Sequence, residues 1–325
     1  MQLIQEYQKK FETYRHAHPF DRQPRELYEP VNYIMDLGGK RLRPVMALLS
    51  YGLFQPDFEP ALPLAYAIEI FHNFSLVHDD IMDQAPLRRG KPTVHQQWDV
   101  NTAILSGDVM LICAYEYLLK LPVKARIPAI IETFNRVARE VCEGQQMDMN
   151  FERRNDVTIP EYIRMIELKT AVLIAGSMEM GALAAGASED NAYHMYQFGR
   201  NSGIAFQLQD DILDTFGDAG KVGKRIGGDI AQNKKTYLIL KALEVAPPKT
   251  REALQWLMAT PTTDEQSKVT TVTRHLLDLD IPKLAEAEKD QYREKAMLHL
   301  EAIDAPEETK APLRELVTLL IDRDQ

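Results

Sequence analysis

At 325 residues, with 45% hydrophobic side chains and a net charge of −10, the chain has material for a sizeable core and too many carboxylates for a nucleic-acid partner. Helix formers such as Leu, Ala, Glu, Lys and Met dominate and alternating strand-like runs are scarce, so the fold class reads as all-α; no Gly/Ser-rich or Pro-rich linker divides residues 1–325, which read as one domain. The two cysteines, Cys113 and Cys142, lie in apolar helical contexts without CxxC spacing and read as reduced core residues of a cytoplasmic protein.

The first helix runs to about Arg15. It is amphipathic, with charges throughout and no apolar h-region, so it is not a signal peptide. Pro19, Pro24 and Pro30 punctuate the approach to VNYIMDLGGKRLRPVMALL, where Gly38 and Gly39 break the helical pattern, Lys40, Arg41 and Arg43 follow, and Pro44 suits the first turn of the next helix. A glycine turn that feeds basic residues into a helix N-terminus can hold an anion, because backbone N–H groups, helix dipole and side-chain cations act together. A merely solvated basic loop has the same composition.

The segment ALPLAYAIEIFHNFSLV is apolar on nearly every side, which predicts a buried helix, yet it runs into HDDIMD. At about 100° per residue His72, Ser75, Asp79 and Asp83 share one stripe, with Asp80 beside them. Carboxylates this close repel by on the order of a few kcal/mol per pair unless something positive lies between them. Asp is a hard oxygen ligand, and Mg²⁺ is held by one or two carboxylates together with waters and substrate phosphates. Two plainer readings exist, a solvated helix face and the His-Asp pair of a metal phosphohydrolase at His78-Asp79. The first sits poorly with a buried helix, and the second wants further histidine ligands, whereas His95 and His194 lie in no companion motif. Arg88, Arg89 and Lys91 follow in a Pro/Gly-rich loop; guanidinium forks match phosphate oxygens, and they could also neutralise Asp83.

Helices from about Asn101 to Lys120 and from Pro128 to Phe151 read as bundle helices, the second carrying Gln145, Gln146 and Asp148. Lys169 and Thr170 then enter an apolar stretch, residues 171–187, that is too short and small-sided to span a membrane and suits close packing inside a bundle. Such a lysine wants a partner, either an acidic residue or a bound phosphate. At FQLQDDILD the acidic pattern returns: Asp210, Asp211 and Asp214 repeat the spacing of Asp79, Asp80 and Asp83, with Gln207 on the same face. Two such clusters facing each other across a bundle would cup several cations and one very anionic ligand, a diphosphate. The segment after it is dense in Gly, Lys and Asp (Lys221, Lys224, Gly227, Gly228, Asp229, Lys234, Lys235) and reads as a closing lid or as a surface loop. From Ala242 onward the chain is a set of amphipathic helices without evident chemistry.

Taken together, LGGKRLRP at 37–44, HDDIMD with LRRGKPT across 78–93, KT at 169–170, FQLQDD at 206–211 and GGDIAQNKKT at 227–236 resemble, in order, the motifs of the trans-isoprenyl diphosphate synthases. The resemblance implies a helical bundle around a deep central cavity, homodimeric, with the two aspartate motifs facing each other at its mouth. It implies three Mg²⁺ ions with substrate bound, two on Asp79 and Asp83 with Asp80 in support, and a third on Asp210 with Asp211 and Asp214 nearby. Arg88, Lys169, Thr170, Gln207, Lys224 and Lys234 match positions that hold an allylic diphosphate, and Lys40, Arg43, His72 and Arg89 match those for isopentenyl diphosphate. The implied reaction is ionisation of the allylic diphosphate, attack by the isopentenyl double bond and loss of a proton, with no covalent nucleophile. Phe71, Phe74 and Ser75, ahead of the first aspartate, match positions that close the pocket floor and suggest a C20 product, or C15. A class I terpene cyclase and a non-catalytic subunit are the competing functions; a cyclase would not need the second diphosphate's basic residues, and a non-catalytic subunit would not need both motifs intact.

Overall fold

The helix formers of the sequence form helices almost throughout the computed structural model, which describes residues 2–122, 126–217, 226–260 and 264–321. Among these residues the strands are confined to one hairpin, Leu87–Arg88 (β1) antiparallel to Lys91–Pro92 (β2), so the fold is all-α as the composition implies. No helix among them is long and apolar enough to cross a membrane.

The chain divides into two compact units, of which the first comprises Met1–Val137, Leu173–Tyr196 and Ala302–Leu316. It contains α1 (Gln2–His16), α2 (Arg25–Asp36), α3 (Leu42–Gly52), α4 (Leu62–Met82), α5 (Val94–Gln97) and α6 (Val100–Leu118). Helix α4 is its axis. Leu64, Ala65, Ile68, Ile70 and Phe71 are all at most 1% exposed, because α4 is covered by α6 on one side and by α3 on another, and this is why its sequence is apolar all round. Tyr66 stacks edge-on against Tyr117, with centroids 4.6 Å apart, and donates its hydroxyl to the His18 carbonyl at 3.0 Å. The small-residue helix α9 (Val172–Ala184) approaches α3 closely: a Cβ on Gly181 would lie 2.3 Å from the Ala47 carbonyl oxygen.

The second unit comprises Ala138–Val172, Gln197–Glu301 and Val317–Gln325. Its core joins Tyr162 and Ile166 of α8 (Ile159–Ile166) to Ile204 and Leu208 of α10 (Glu189–Phe216), and these to Leu238, Leu254, Val272 and Ile281 on later helices. A capping box of Thr158 and Glu161 starts α8, with Pro160 in its first turn. The helix then widens into a π turn, Glu167–Ala171, before α9.

One expectation is corrected. Cys113 is buried, but Cys142 is exposed in the single chain. On α7 (Ile127–Glu152) the helical period places Cys142 on an exposed stripe with Asn135, Arg139, Glu143 and Gln146, while Val141 and Gly144 turn inward.

Candidate active site

In the first unit the acidic motif occupies the last turn of α4. That end of a helix carries the negative pole of the dipole, and α4 has no basic residue there, so the carboxylates depend on cations brought from elsewhere. Asp80 is turned inward and is 1% exposed. Arg88 on β1 holds it with two N–H donors, Nε to Oδ2 at 2.8 Å and Nη2 to Oδ1 at 2.7 Å. The same Nη2 lies 3.8 Å from Asp79 Oδ2. Asp79 is half-buried, with its Oδ1 turned in, and Asp83, the C-cap residue, is exposed, so the three carboxylates of the motif run from a structural one, Asp80, through Asp79 to an outward one, Asp83.

The hairpin supplies the next basic residue. Its turn residues Arg89 (φ 51°) and Gly90 (φ 74°) both adopt left-handed backbone, which matches a tight two-residue hairpin and sends Arg88 and Arg89 to different neighbours. Arg89 Nη1 donates to the Gly38 carbonyl, and its guanidinium lies so near Gly39 that a Cβ there would sit 2.9 Å from it. Gly38 (φ 81°) and Gly39 (φ 130°) are therefore required, by conformation and by contact. Lys40 is exposed, its carbonyl held by Gln8 Nε2 at 3.0 Å. Arg43 Nη1 donates to His72 Nε2 at 3.2 Å, and Arg43 Nε is buried with no hydrogen-bond partner among the described residues. Burial lowers the Arg43 pKa to about 10, which leaves it charged at neutral pH; burial and then Arg43, Arg89 and Arg88 hold His72 well below the ordinary histidine range, so it is a neutral acceptor. Lys40, Arg43, His72 and Arg89 thus gather in this unit.

Phe71 is 1% exposed and packs between Phe74 and Phe134, with centroids at 5.4 and 5.2 Å. Ser75 Oγ donates to the His72 carbonyl at 2.8 Å.

The second unit repeats the division of labour. Asp211 on α10 is 3% exposed and accepts from the Tyr162 hydroxyl and, at 3.4 Å, from Gln207 Nε2, while Asp210 and Asp214 are less buried. Burial pushes the Asp211 carboxyl up to about 8, with the negative charges of Asp229 and Asp210 acting the same way. Gln207 also accepts from Thr170 Oγ1 at 3.4 Å. Lys169 pairs with Asp148 at 2.6 Å, one of the two partners its sequence context called for. Both Lys169 and Thr170 lie on the π turn, which is clasped by glycines: a Cβ on Gly144 of α7 would lie 2.3 Å from Lys169 N, and one on Gly203 of α10 would lie 2.7 Å from Ala171 Cα. Asp214 anchors the following segment, accepting from Asp229 N at 3.0 Å through Oδ2 and from Gly227 N at 2.6 Å through its carbonyl. Lys234 pairs with Asp229 at 3.0 Å. Lys224 lies outside the described residues.

Sequence reasoning missed Tyr162, Gly144 and Gly203. The glycines carry no local signal, since a helical Gly becomes informative only when its neighbour is known. Among the described residues no group of three or more His, Cys, Asp and Glu side chains is placed to hold an ion by itself. Asp79 and Asp83, one helical turn apart with Arg88 beside them, are instead a donor set for Mg²⁺ shared with phosphate oxygens, and they fit that ion.

The polyprenyl synthetase family model matches residues 24–276, and the chain belongs to that family. It is a short-chain trans-prenyltransferase. The geranylgeranyl pyrophosphate synthase of Geoglobus acetivorans is 38% identical over 305 residues, 94% of this chain and 93% of that protein. A crystal structure of a geranylgeranyl pyrophosphate synthase aligns with a TM-score of 0.89 at 42% identity, covering 100% of this chain and 97% of the other. The Corynebacterium glutamicum geranylgeranyl pyrophosphate synthase, solved with isoprenyl diphosphate and magnesium, aligns at 0.83 with 26% identity over 99% and 97%. The cyclase and non-catalytic readings are not favoured by these likenesses.

Proposed function

We propose that residues 1–325 act as one catalytic domain that condenses isopentenyl diphosphate with an allylic diphosphate, head to tail, to a C20 all-trans prenyl diphosphate, or C15. The observation that carries this reading is that one compact unit holds both the carboxylates Asp79 and Asp83 at the end of α4 and two guanidinium groups, Arg43 and Arg89, that form no ion pair among the described residues. Asp79, Asp83 and Asp210 would hold Mg²⁺, three ions with substrate bound, and the bound ions would supply Lewis-acid stabilisation of the departing diphosphate.

The chain's own residues do the rest. Asp80 and Asp211, fixed by Arg88 and by Tyr162, hold the ends of their helices and leave the neighbouring carboxylates less buried, for the metal ions. Lys169, Thr170, Gln207, Lys224 and Lys234 orient the allylic diphosphate, with Arg88 shared between it and Asp80. Lys40, Arg43, His72 and Arg89 seat isopentenyl diphosphate so that its double bond meets the allylic cation, which apolar walls keep from water. The proton leaves to the released diphosphate. Phe71 and Phe74 close the floor.

We read the protein as a cytoplasmic homodimer: α6 leaves Val100, Ile104, Leu105 and Ile112 exposed in the single chain, an apolar face that a second copy would cover. The test is purified protein with Mg²⁺, isopentenyl diphosphate and each allylic primer in turn, with products sized. A C20 product is expected, and Phe74→Ala should lengthen it. Absence of any condensation with every primer would overturn the reading, and unchanged length would remove Phe74 from the floor.

A further inference from the structure

Of the basic residues around the Gly38–Gly39 turn, Arg41 has a different fate from Arg43 and Arg89. Its guanidinium is 3% exposed and bonded on every side: Nε to Glu12 Oε1 at 2.7 Å, Nη1 to Glu69 Oε1 at 2.6 Å and Nη2 to the Met35 carbonyl at 2.6 Å. Glu69, also 3% exposed, accepts again from Asn73 Nδ2 at 3.1 Å. Arg41 holds this place from left-handed backbone, φ 49°, a conformation an L residue keeps only where its surroundings over-determine it. Arg43 and Arg89 form no ion pair among the described residues, although the charge of Glu69 acts on both. A buried carboxylate needs a cation, and three guanidinium groups compete for this one.

We propose that Arg41 is a positioning residue that sorts charge: by saturating Glu12 and Glu69 it keeps Glu69 from capturing Arg43 and Arg89, which stay available to the diphosphate of isopentenyl diphosphate. The inference rests on the reading of Arg43 and Arg89 as that diphosphate's site. It differs from a purely structural role for Arg41 in one respect, since the damage from losing Arg41 should be undone by also removing the charge it neutralises.

The experiment measures KM for isopentenyl diphosphate and for the allylic primer in Arg41→Met, Arg41→Lys, the double variant Arg41→Met with Glu69→Gln, and Arg43→Ala. Arg41→Met is expected to raise KM for isopentenyl diphosphate on the order of tenfold while the primer's KM stays put, and the double variant to bring it back to within about threefold. Arg41→Lys keeps a cation against both carboxylates and should also stay within about threefold, which decides the matter if Arg41→Met does not fold. A double variant as impaired as Arg41→Met, or an Arg41→Lys protein impaired tenfold, would overturn charge sorting alone, provided Arg43→Ala raises the same KM. An Arg43→Ala enzyme with unchanged KM would sink the diphosphate-site reading and this inference with it.

Discussion

Asp80 and Asp83 are three residues apart and chemically identical, yet the structure gives them opposite tasks. Asp80 is buried against Arg88, so Asp80→Asn should cost about 3 kcal/mol of unfolding free energy in urea titration, because it leaves a guanidinium without its charge partner. Asp83 is exposed; Asp83→Asn should leave stability within about 0.5 kcal/mol of the wild type and lower kcat about 100-fold. His72 makes a prediction in pH. Its folded pKa is depressed, so below about 6.5 the unfolded chain binds a proton that the folded one refuses, and stability falls as pH falls. Asp211, raised to about 8, acts in the opposite sense over this range, so the check is a difference between proteins: from pH 7 to pH 5 the wild type should lose up to about 2 kcal/mol relative to His72→Gln. The sequence made the acidic spacing legible because i and i+4 share a face whatever else is present. It could not separate Lys40, Arg41 and Arg43, since the carboxylates that claim Arg41 come from Glu12 and Glu69, far along the chain.

The helices were readable from apolar periodicity, and α4 in particular from being apolar all round. The π turn was not, because a one-residue widening leaves composition and period almost unchanged. Its position depends on α7 and α10, which approach it where Gly144 and Gly203 omit a side chain. Gly144→Ala would drive a methyl group to within 2.3 Å of Lys169 N and must displace the turn, for about 2 kcal/mol. A raised KM for the allylic primer, with that for isopentenyl diphosphate unchanged, is the expected kinetic result; equal effects on both would show that the turn does not serve the primer alone. The exposure of Cys142 is a lesson of the same kind, since a cysteine among apolar residues sits one helical position from the buried face.

At the scale of the whole molecule, both compact units carry an acidic motif whose middle aspartate is fastened inward, by arginine in one and tyrosine in the other. The homodimer reading is tested by Ile112→Asp, which should shift the mass in light scattering from two copies toward one; an unchanged mass would place any interface elsewhere. The buried, ion-paired cations and the exposed ones also differ in what dissolved ions can reach. Screening over roughly 8 Å at physiological ionic strength acts on exposed charges and hardly on buried ones, so in the proposed site added potassium chloride should weaken the exposed Lys40 and Arg89 as anion traps while the Arg41–Glu69 pair stays dry. If those residues seat the diphosphate as proposed, substrate capture should fade with salt well before the helices loosen, and an enzyme working at high osmolarity would be limited by how often it is loaded rather than by how long it stays folded.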